Sequence, residues 1–292
     1  MIRRKNGDFT VEELPLPRAE EDGEHLYLEV RKEGVSTADA ARWIASYYGC
    51  PMRDVGYAGM KDRHAVTRQW FSVPSTTEDV PPASAAFEVL AKHRGRKKLR
   101  RGELAGNHFE IRLREASVVP ELPDRVPNFF GYQRFGHDNI ASARSWLAER
   151  RRHRVSAFRR GLHLSVLRSL LFNEVLAARV RAANWSEAVD GDVLEGVYPT
   201  GPLWGRGRSP TGGEAAVIEQ AALAPWCEVC EGLEHAGVRQ DRRSLMVQAS
   251  AMTARPCGDG DGVVLAFSLP AGSYATTYLG AVFQVTDEAL EN

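Results

Sequence analysis

Segments typical of β-strands lie at both ends of this sequence and enclose a long segment typical of helices. In the outer segments apolar and polar residues alternate in short runs, a pattern that fits strands with one buried face. Such a chain can bury its apolar residues by forming one sheet from both of its ends. The predicted strands lie at about 26–30, 54–58, 66–73, 86–92, 109–113, 244–248 and 262–269.

Apolar residues at helical spacing predict helices at about 36–48, 138–150, 161–183 and 214–223. The stretch 198–213, rich in glycine and proline, is predicted as loop, and the cationic stretch 93–101 as a hairpin connection. With 292 residues the chain is long enough for two ordinary domains. We therefore predict an α/β (α+β) fold, in which residues 1–124 and 248–292 form one domain and residues 125–247 an inserted module.

A short loop between two predicted strands carries Lys61, Asp62 and Arg63. A carboxylate between two cations stays ionised at neutral pH. An ionised, positioned aspartate can act as a nucleophile or as a general base. The alternative is a surface turn with an exposed ion pair, which is common and contributes little to stability. The residues alone leave both interpretations open.

The cysteines argue against a disulfide framework and against structural zinc. Cys50, Cys227, Cys230 and Cys257 are too few and too scattered along the chain to form a framework of disulfides. The Cys227-x-x-Cys230 pair lacks the second pair of ligands that a structural zinc ion needs. We therefore expect no metal site.

Composition is ordinary for a globular protein, with 26% charged and 43% apolar residues. No run of residues approaches the roughly 18 apolar residues that span a membrane. No apolar segment follows the N-terminal residues 1–6, so no signal peptide is predicted. These features predict a cytoplasmic protein that does not associate with membranes.

The charges are balanced overall but unevenly distributed. The formal net charge is zero, which is a mild argument against a nucleic-acid partner. Cations nevertheless concentrate in 92–101 and 150–160, whereas acidic residues concentrate in 12–24. Such segregation produces a local positive field, although solvated surface loops would show the same pattern. The candidate phosphate-binding residues of the first cluster are Lys97, Lys98, Arg100 and Arg101.

Five segments resemble, in the same order, the motifs of the TruD family of tRNA pseudouridine synthases. They extend from residue 8 to residue 276 and so cover nearly the whole chain. One match is a weak signal, whereas five in order are specific. The segments are Asp8-Phe9-x-Val11-x-Glu13, Gly59-Met60-Lys61-Asp62-Arg63-x-Ala65-Val66-Thr67-x-Gln69, Leu104-x-Gly106-Asn107-x-Phe109, Val126-Pro127-Asn128-Phe129-Phe130-Gly131-x-Gln133-Arg134-Phe135-Gly136 and Leu269-Pro270-x-Gly272-Ser273-Tyr274-Ala275-Thr276.

The resemblance implies a catalytic domain with a mostly antiparallel, bifurcated sheet and an inserted α/β module specific to the family. It implies an isomerase that converts a uridine of tRNA, at position 13 in the D arm, to pseudouridine. No cofactor is needed, because the reaction involves neither net redox change nor hydrolysis. The implied partner is tRNA; no protein partner is implied, and we expect a monomer.

The resemblance also implies roles for individual residues around the aspartate. Asp62 matches the catalytic carboxylate, as nucleophile or base. Arg3 lies six residues before Phe9 and matches the cation that pairs with this carboxylate; a planar guanidinium suits that role. Arg4 and Lys5 lie close enough to be alternatives, and a solvated N-terminal segment is the other interpretation. Lys61, also a candidate for substrate binding, is expected to point away from Asp62, toward an RNA phosphate or a structural partner, because adjacent residues of an extended segment face opposite ways.

Three further residues match positions that line the substrate pocket of the family: Phe9, Asn107 and Tyr274. The ring of Tyr274, usually phenylalanine in the family, is expected to pack against the target uracil. Core packing is the alternative interpretation of Phe9 and of Tyr274, and a turn is the alternative for Asn107. One departure follows Thr276, where Gly280 is expected to interrupt the helix that family members form.

Two rival functions remain open at this stage. One is a catalytically silent RNA-binding protein on the same scaffold, although packing alone does not require an aspartate at position 62. The other is a carboxylate-dependent hydrolase, which would need a second acidic residue facing Asp62. No motif supplies that second residue.

Overall fold

The computed structural model describes residues 2–16, 23–136, 138–149 and 155–283. Its strands, in chain order, are β1 (Phe9–Pro15), β2 (His25–Glu33), β3 (Gly56–Tyr57), β4 (Val66–Pro74), β5 (Phe87–Gly95), β6 (Leu104–Leu113), β7 (Arg125–Pro127), β8 (Leu194–Glu195), β9 (Tyr198–Leu203), β10 (Asp241–Ser244), β11 (Met246–Gln248), β12 (Ser250–Pro256) and β13 (Val263–Pro270). Its α-helices are α1 (Thr37–Tyr47), α2 (Tyr132–Phe135), α3 (Asn139–Glu149), α4 (Ala157–Arg181), α5 (Gly213–Leu223), α6 (Cys227–His235) and α7 (Ala275–Val282).

The chain divides into two compact units. The first comprises Met1–Asp124, Ala249–Ser273 and Phe283–Asn292, and the second comprises Arg125–Gln248 and Tyr274–Val282. The domain borders expected from the sequence stay a prediction. None of the helices in the described ranges is long and apolar enough to cross a bilayer. Positions 150–154 of the second cationic cluster lie outside the described residues.

The first unit is built on a sheet with the order β12-β13-β6-β1-β4-β2-β5, and β3 also pairs with β4. β1 and β4 run parallel, whereas the other pairs in this sheet are antiparallel. The mixed, mostly antiparallel fold predicted from the sequence is confirmed. The register Thr10↔Val66 places the beginnings of β1 and β4 at the same edge of the sheet.

Helix α1 covers one face of this sheet. It begins after Ser36, whose hydroxyl oxygen accepts a hydrogen bond from Asp39 N at 3.1 Å. Alternate residues of β2, among them Leu28 and Val30, are fully buried in the same core as Ile44 of the helix. The predicted helix at 36–48 is therefore confirmed.

The connection between β5 and β6 is not the hairpin expected at 93–101. β5 pairs with β2, whereas β6 pairs with β1 and β13, so the two strands are not neighbours. The prediction was wrong because alternation and charge mark where strands lie along the chain but not which strands pair. The cationic stretch therefore crosses from an edge of the sheet to its interior.

The second unit packs helices against short strands. Phe172 and Leu176 of the long helix α4 are fully buried. Arg179 of the same helix is also buried, where it donates to both carboxylate oxygens of Asp192, each at 3.0 Å. Only 2% of each of these two charged side chains is exposed.

The stretch 198–213 was expected to be loop, but it contains strand β9. Gly201 explains the difference, because a Cβ atom there would lie 2.7 Å from Leu245 and 3.1 Å from Phe172. The glycine thus permits close contact between the strand and the core, as glycines within strands often do. Composition alone does not distinguish this glycine from one in a loop.

The prediction that Gly280 interrupts the C-terminal helix is also wrong, since helix α7 continues to Val282. A glycine inside a helix costs about 1 kcal/mol relative to alanine. Burial of Tyr278 and Leu279, which are 1% and 0% exposed, offsets that cost.

Candidate active site

The topology of the first unit brings residues from distant parts of the sequence together at the end of the sheet where the central strands β1 and β4 begin. Asp62 lies in the loop that leads from β3 into β4, and Arg3 precedes β1. Because β1 and β4 are parallel and begin at the same edge, these two segments meet there.

Arg3 and Asp62 form an ion pair with unequal exposure. Arg3 Nη1 lies 3.0 Å from Asp62 Oδ2; 4% of the arginine side chain is exposed, compared with 50% of the aspartate. The guanidinium also stacks on the ring of Phe9, at 4.3 Å from its centroid. A buried cation thus holds a carboxylate that remains accessible to a ligand.

The cations that flank Asp62 in the sequence point elsewhere. Lys61 Nζ lies 3.0 Å from Glu13 Oε2 and donates to Asn107 Oδ1 at 2.6 Å. Arg63 Nε donates to the carbonyl of Gly34 at 3.2 Å. Lys61 therefore faces the interior, as expected for a neighbour of Asp62 in an extended segment, and Arg3 supplies the cation at the carboxylate.

A buried network fixes the backbone of the Asp62 loop. Thr37 at the start of α1 accepts a hydrogen bond from Lys61 N at 2.8 Å and donates to Gln69 Oε1 at 3.0 Å. Gln69 Nε2 in turn donates to the carbonyl of Gly59 at 2.6 Å. Thr37 and Gln69 are fully buried. Residues of the sheet and of helix α1 thus hold the backbone of the loop immediately before Asp62.

Sequence reasoning missed these supporting residues and also missed Lys32. The lysine is fully buried, donates from Nζ to the carbonyl of Val35 at 2.8 Å and lies 3.5 Å from the carbonyl oxygen of Asp62. Burial lowers the pKa of Lys32 to about 8, although the charge of Asp62 opposes this shift. The available signal was the position of Lys32 two residues after Val30, on the apolar face of β2.

The structure also locates the residues expected to line the substrate pocket. Phe9 is buried and packs edge-on against Phe109, with centroids 6.2 Å apart. Asn107 is half-buried beside Lys61. Tyr274 belongs to the second unit, where its side chain is exposed at the start of α7. Within the first unit, therefore, Arg3 and Asp62 lie together with Phe9.

Three of the four predicted phosphate-binding residues, Lys98, Arg100 and Arg101, line a groove of about 630 Å³ in the first unit. Arg101 donates to the hydroxyl of Tyr57 at 3.1 Å, and its guanidinium lies 5.3 Å from the centre of that ring. Lys98 donates to the carbonyl of Arg53. The side chains of Lys97 and Arg100 are exposed, and Arg53, which sequence reasoning missed, adds a further cation to the groove.

The Cys227 and Cys230 pair lies in α6. Cys227 is exposed and Cys230 is buried, and burial raises the pKa of the Cys230 thiol to about 12. A thiol that remains protonated is a poor metal ligand and a poor nucleophile. In the described ranges, no group of three or more histidine, cysteine or carboxylate side chains is placed to hold a metal ion.

Comparisons with known proteins agree on one family. The model of the family tRNA pseudouridine synthase D (TruD) matches residues 1–143. The chain is 41% identical to the tRNA pseudouridine synthase D of Cellvibrio japonicus over 92% of this chain and 84% of the relative. It is 39% identical to that of Chromohalobacter salexigens over 95% and 90% of the two chains.

A solved structure agrees with the fold. The TruD protein of Methanosarcina mazei superposes with a TM-score of 0.69, covering 98% of this chain and 93% of the other at 20% identity. Such low identity shows the shared fold alone. Together with the identity to the curated relatives, these comparisons show that the chain belongs to the TruD family of tRNA pseudouridine synthases.

Proposed function

We propose that this protein isomerises uridine 13 in the D arm of tRNA to pseudouridine, and that Asp62 carries the chemistry. The family and the substrate named for its relatives support the reaction class. The observation that carries the role of Asp62 is its pairing with Arg3. The pair combines a buried cation with a carboxylate that is half exposed, on a loop fixed by buried hydrogen bonds.

The reaction replaces the N1–C1′ bond by a C5–C1′ bond and exchanges one proton. The bond between uracil N1 and ribose C1′ breaks, the base rotates, and C5 joins C1′. C5 then loses its proton to solvent while N1 gains one, so no electrons enter or leave. Asp62 assists the first step either by adding to C1′ or by removing the proton on C2′. In both routes Arg3 orients the carboxylate and stabilises its charge.

Further residues that match family positions are assigned roles in binding the uridine. The target uridine must leave its stack, which costs a few kcal/mol. We assign stacking on the detached uracil to the exposed ring of Tyr274, since base–aromatic stacking contributes about 1–3 kcal/mol. Phe9 sets the position of Arg3 through its ring face. We assign a polar contact with the substrate to the half-buried Asn107, whose amide oxygen accepts a hydrogen bond from the buried Lys61.

We assign the tRNA backbone to the groove lined by Arg53, Lys98, Arg100 and Arg101, with the exposed Lys97 beside it. Contacts between such cations and phosphates release counterions and do not depend on base sequence. A groove of this kind offsets the cost of base flipping without contributing to the choice of tRNA.

The test is the release of tritium from a tRNA transcript that carries 5-tritiated uridine. The protein should release one tritium per transcript, and replacement of uridine 13 by cytidine should abolish the release. Release from the substituted transcript would reject position 13 but retain the reaction. Binding of tRNA without any release would support the silent RNA-binding protein instead.

A further inference from the structure

Lys32 is a buried cation that the proposed chemistry leaves unexplained. Its side chain continues the row of Leu28 and Val30 on the face of β2 that packs into the core, and it is equally buried. Lysines are almost never fully buried unless their charge is paired. Within the described ranges Lys32 forms no ion pair, and its ammonium donates to main-chain carbonyls instead.

The charges that face Lys32 come from the loop above it. Asp62 favours its protonated form, whereas Lys61 disfavours it. Its hydrogen-bond partner Val35 immediately precedes the N-cap of α1, and the positive end of that helix also disfavours a cation. Burial, Lys61 and the helix therefore all oppose the charge, and Asp62 is the group that retains it.

We propose that Lys32 is a positioning residue for Asp62, rather than only a filler of the core. Its ammonium contacts the carbonyl oxygen of Asp62 at 3.5 Å, whereas Arg3 donates to the carboxylate at 3.0 Å. The inference rests on the proposed function, in which Asp62 carries the chemistry. Two cations acting on one residue fix its backbone and its side chain separately, which is what a preorganised site requires.

This arrangement predicts opposite pH dependences for activity and stability. The lowered pKa means that Lys32 loses its charge as the pH rises through about 8, whereas an unfolded chain retains it up to about 10.5. Between these values the folded protein binds fewer protons than the unfolded chain, so this group makes the protein more stable as pH rises. Over the same window the isomerisation should slow, because the cation behind Asp62 is lost.

The main experiment measures single-turnover tritium release as a function of pH. Lys32→Met removes the charge at similar volume, and Leu28→Ala is the control that weakens the same core without changing a charge. The wild-type rate should fall above pH 8, and Lys32→Met should be slower by roughly 10- to 100-fold at pH 7 and lack this fall. Leu28→Ala should lower the melting temperature but keep the wild-type rate and profile. A Lys32→Met rate within about threefold of wild type, with the same profile, would overturn the proposal.

A second measurement does not depend on the folding of a Lys32 variant or on the activity. Lysine labelled with carbon-13 at Cε reports the titration of Lys32 by nuclear magnetic resonance. Because Asp62 favours the protonated lysine, Asp62→Asn should lower the titration midpoint. An unchanged midpoint would overturn the coupling, even if the wild type releases tritium. Absence of tritium release in the wild type would reject the proposed function. The coupling between Lys32 and Asp62 would then be judged by the shift of the Lys32 titration midpoint in Asp62→Asn alone.

Discussion

Two buried arginines in this protein pair with carboxylates that differ in their exposure to solvent. Arg179, in the second unit, meets Asp192, and each side chain is only 2% exposed. The same guanidinium donates to the carbonyls of Asn184 and Glu187, so both charges are enclosed by protein. Arg3, in the first unit, is buried to a similar degree, but the side chain of its partner Asp62 is 50% exposed. We call the first a closed pair and the second an open pair.

The difference shows how a structural charge can be told from a functional one. Removal of one partner of a closed pair leaves a buried charge and costs about 3–5 kcal/mol. An exposed carboxylate is screened by water, so an open pair contributes roughly 1 kcal/mol or less to stability. Stability alone therefore does not account for the burial of Arg3, whereas the orientation of a reactive Asp62 does.

The largest effect on the chemical step is expected at Arg3. Arg3→Met should slow single-turnover isomerisation by roughly 100-fold, because Asp62 loses the donor that orients it. Arg3→Lys keeps the charge but loses the planar group that stacks on Phe9, so its rate should lie between those of Arg3→Met and wild type. The measurement is tritium release with enzyme in excess over tRNA.

The matched control for this prediction is Arg179→Met. It should lower the free energy of unfolding by about 3–5 kcal/mol and leave the rate of the folded protein unchanged. The comparison fails if Arg3→Met destabilises the protein as much as Arg179→Met does, or if Arg3→Met turns over at the wild-type rate.

The smallest effect on the chemical step is expected from the cations of the groove. Replacement of Lys97, Lys98, Arg100 and Arg101 by glutamine should weaken cognate and non-cognate tRNA binding alike, because phosphate contacts carry no sequence information. Each lost contact should flatten the dependence of log affinity on log salt by somewhat under one unit. The rate at saturating tRNA should not change. A salt dependence equal to that of wild type would show that this segment does not contact the backbone.

The parts of the fold that depend on local pattern could be predicted from the sequence. Alternation located β2 and β4, and the helical pattern at 36–48 located α1. Pairing could not be predicted, because it depends on contacts between distant segments; the supposed hairpin after β5 shows this. The loop predicted around Gly201 and the helix interruption predicted at Gly280 were wrong for a related reason. Packing around each glycine outweighs its local conformational preference.

The candidate site shows the same division. The motif pointed to Asp62 as the candidate carboxylate. The position of Arg3, six residues before Phe9, pointed to this arginine as the paired cation, and the structure places it 3.0 Å from the carboxylate. The local charge pattern suggested Lys61 and Arg63 as the flanking cations, but the backbone directs both away. Lys32 carries no sequence signal beyond its place on an apolar face, because its proximity to Asp62 arises only from the pairing of β2 with β4.

The measurement that tests this account most directly compares Asp62→Asn with Asp192→Asn. Both variants remove one carboxylate charge from a pair with a buried arginine. Asp62→Asn leaves Arg3 buried but keeps an amide oxygen that can accept its hydrogen bond, so it should lose less stability than Asp192→Asn. It should bind tRNA with an affinity within a few-fold of wild type, yet release no tritium in a single turnover. Asp192→Asn should lose about 3–5 kcal/mol of stability and isomerise at the wild-type rate while folded. Pseudouridine formed by Asp62→Asn at a rate near that of wild type would contradict the central claim that the open pair carries the chemistry.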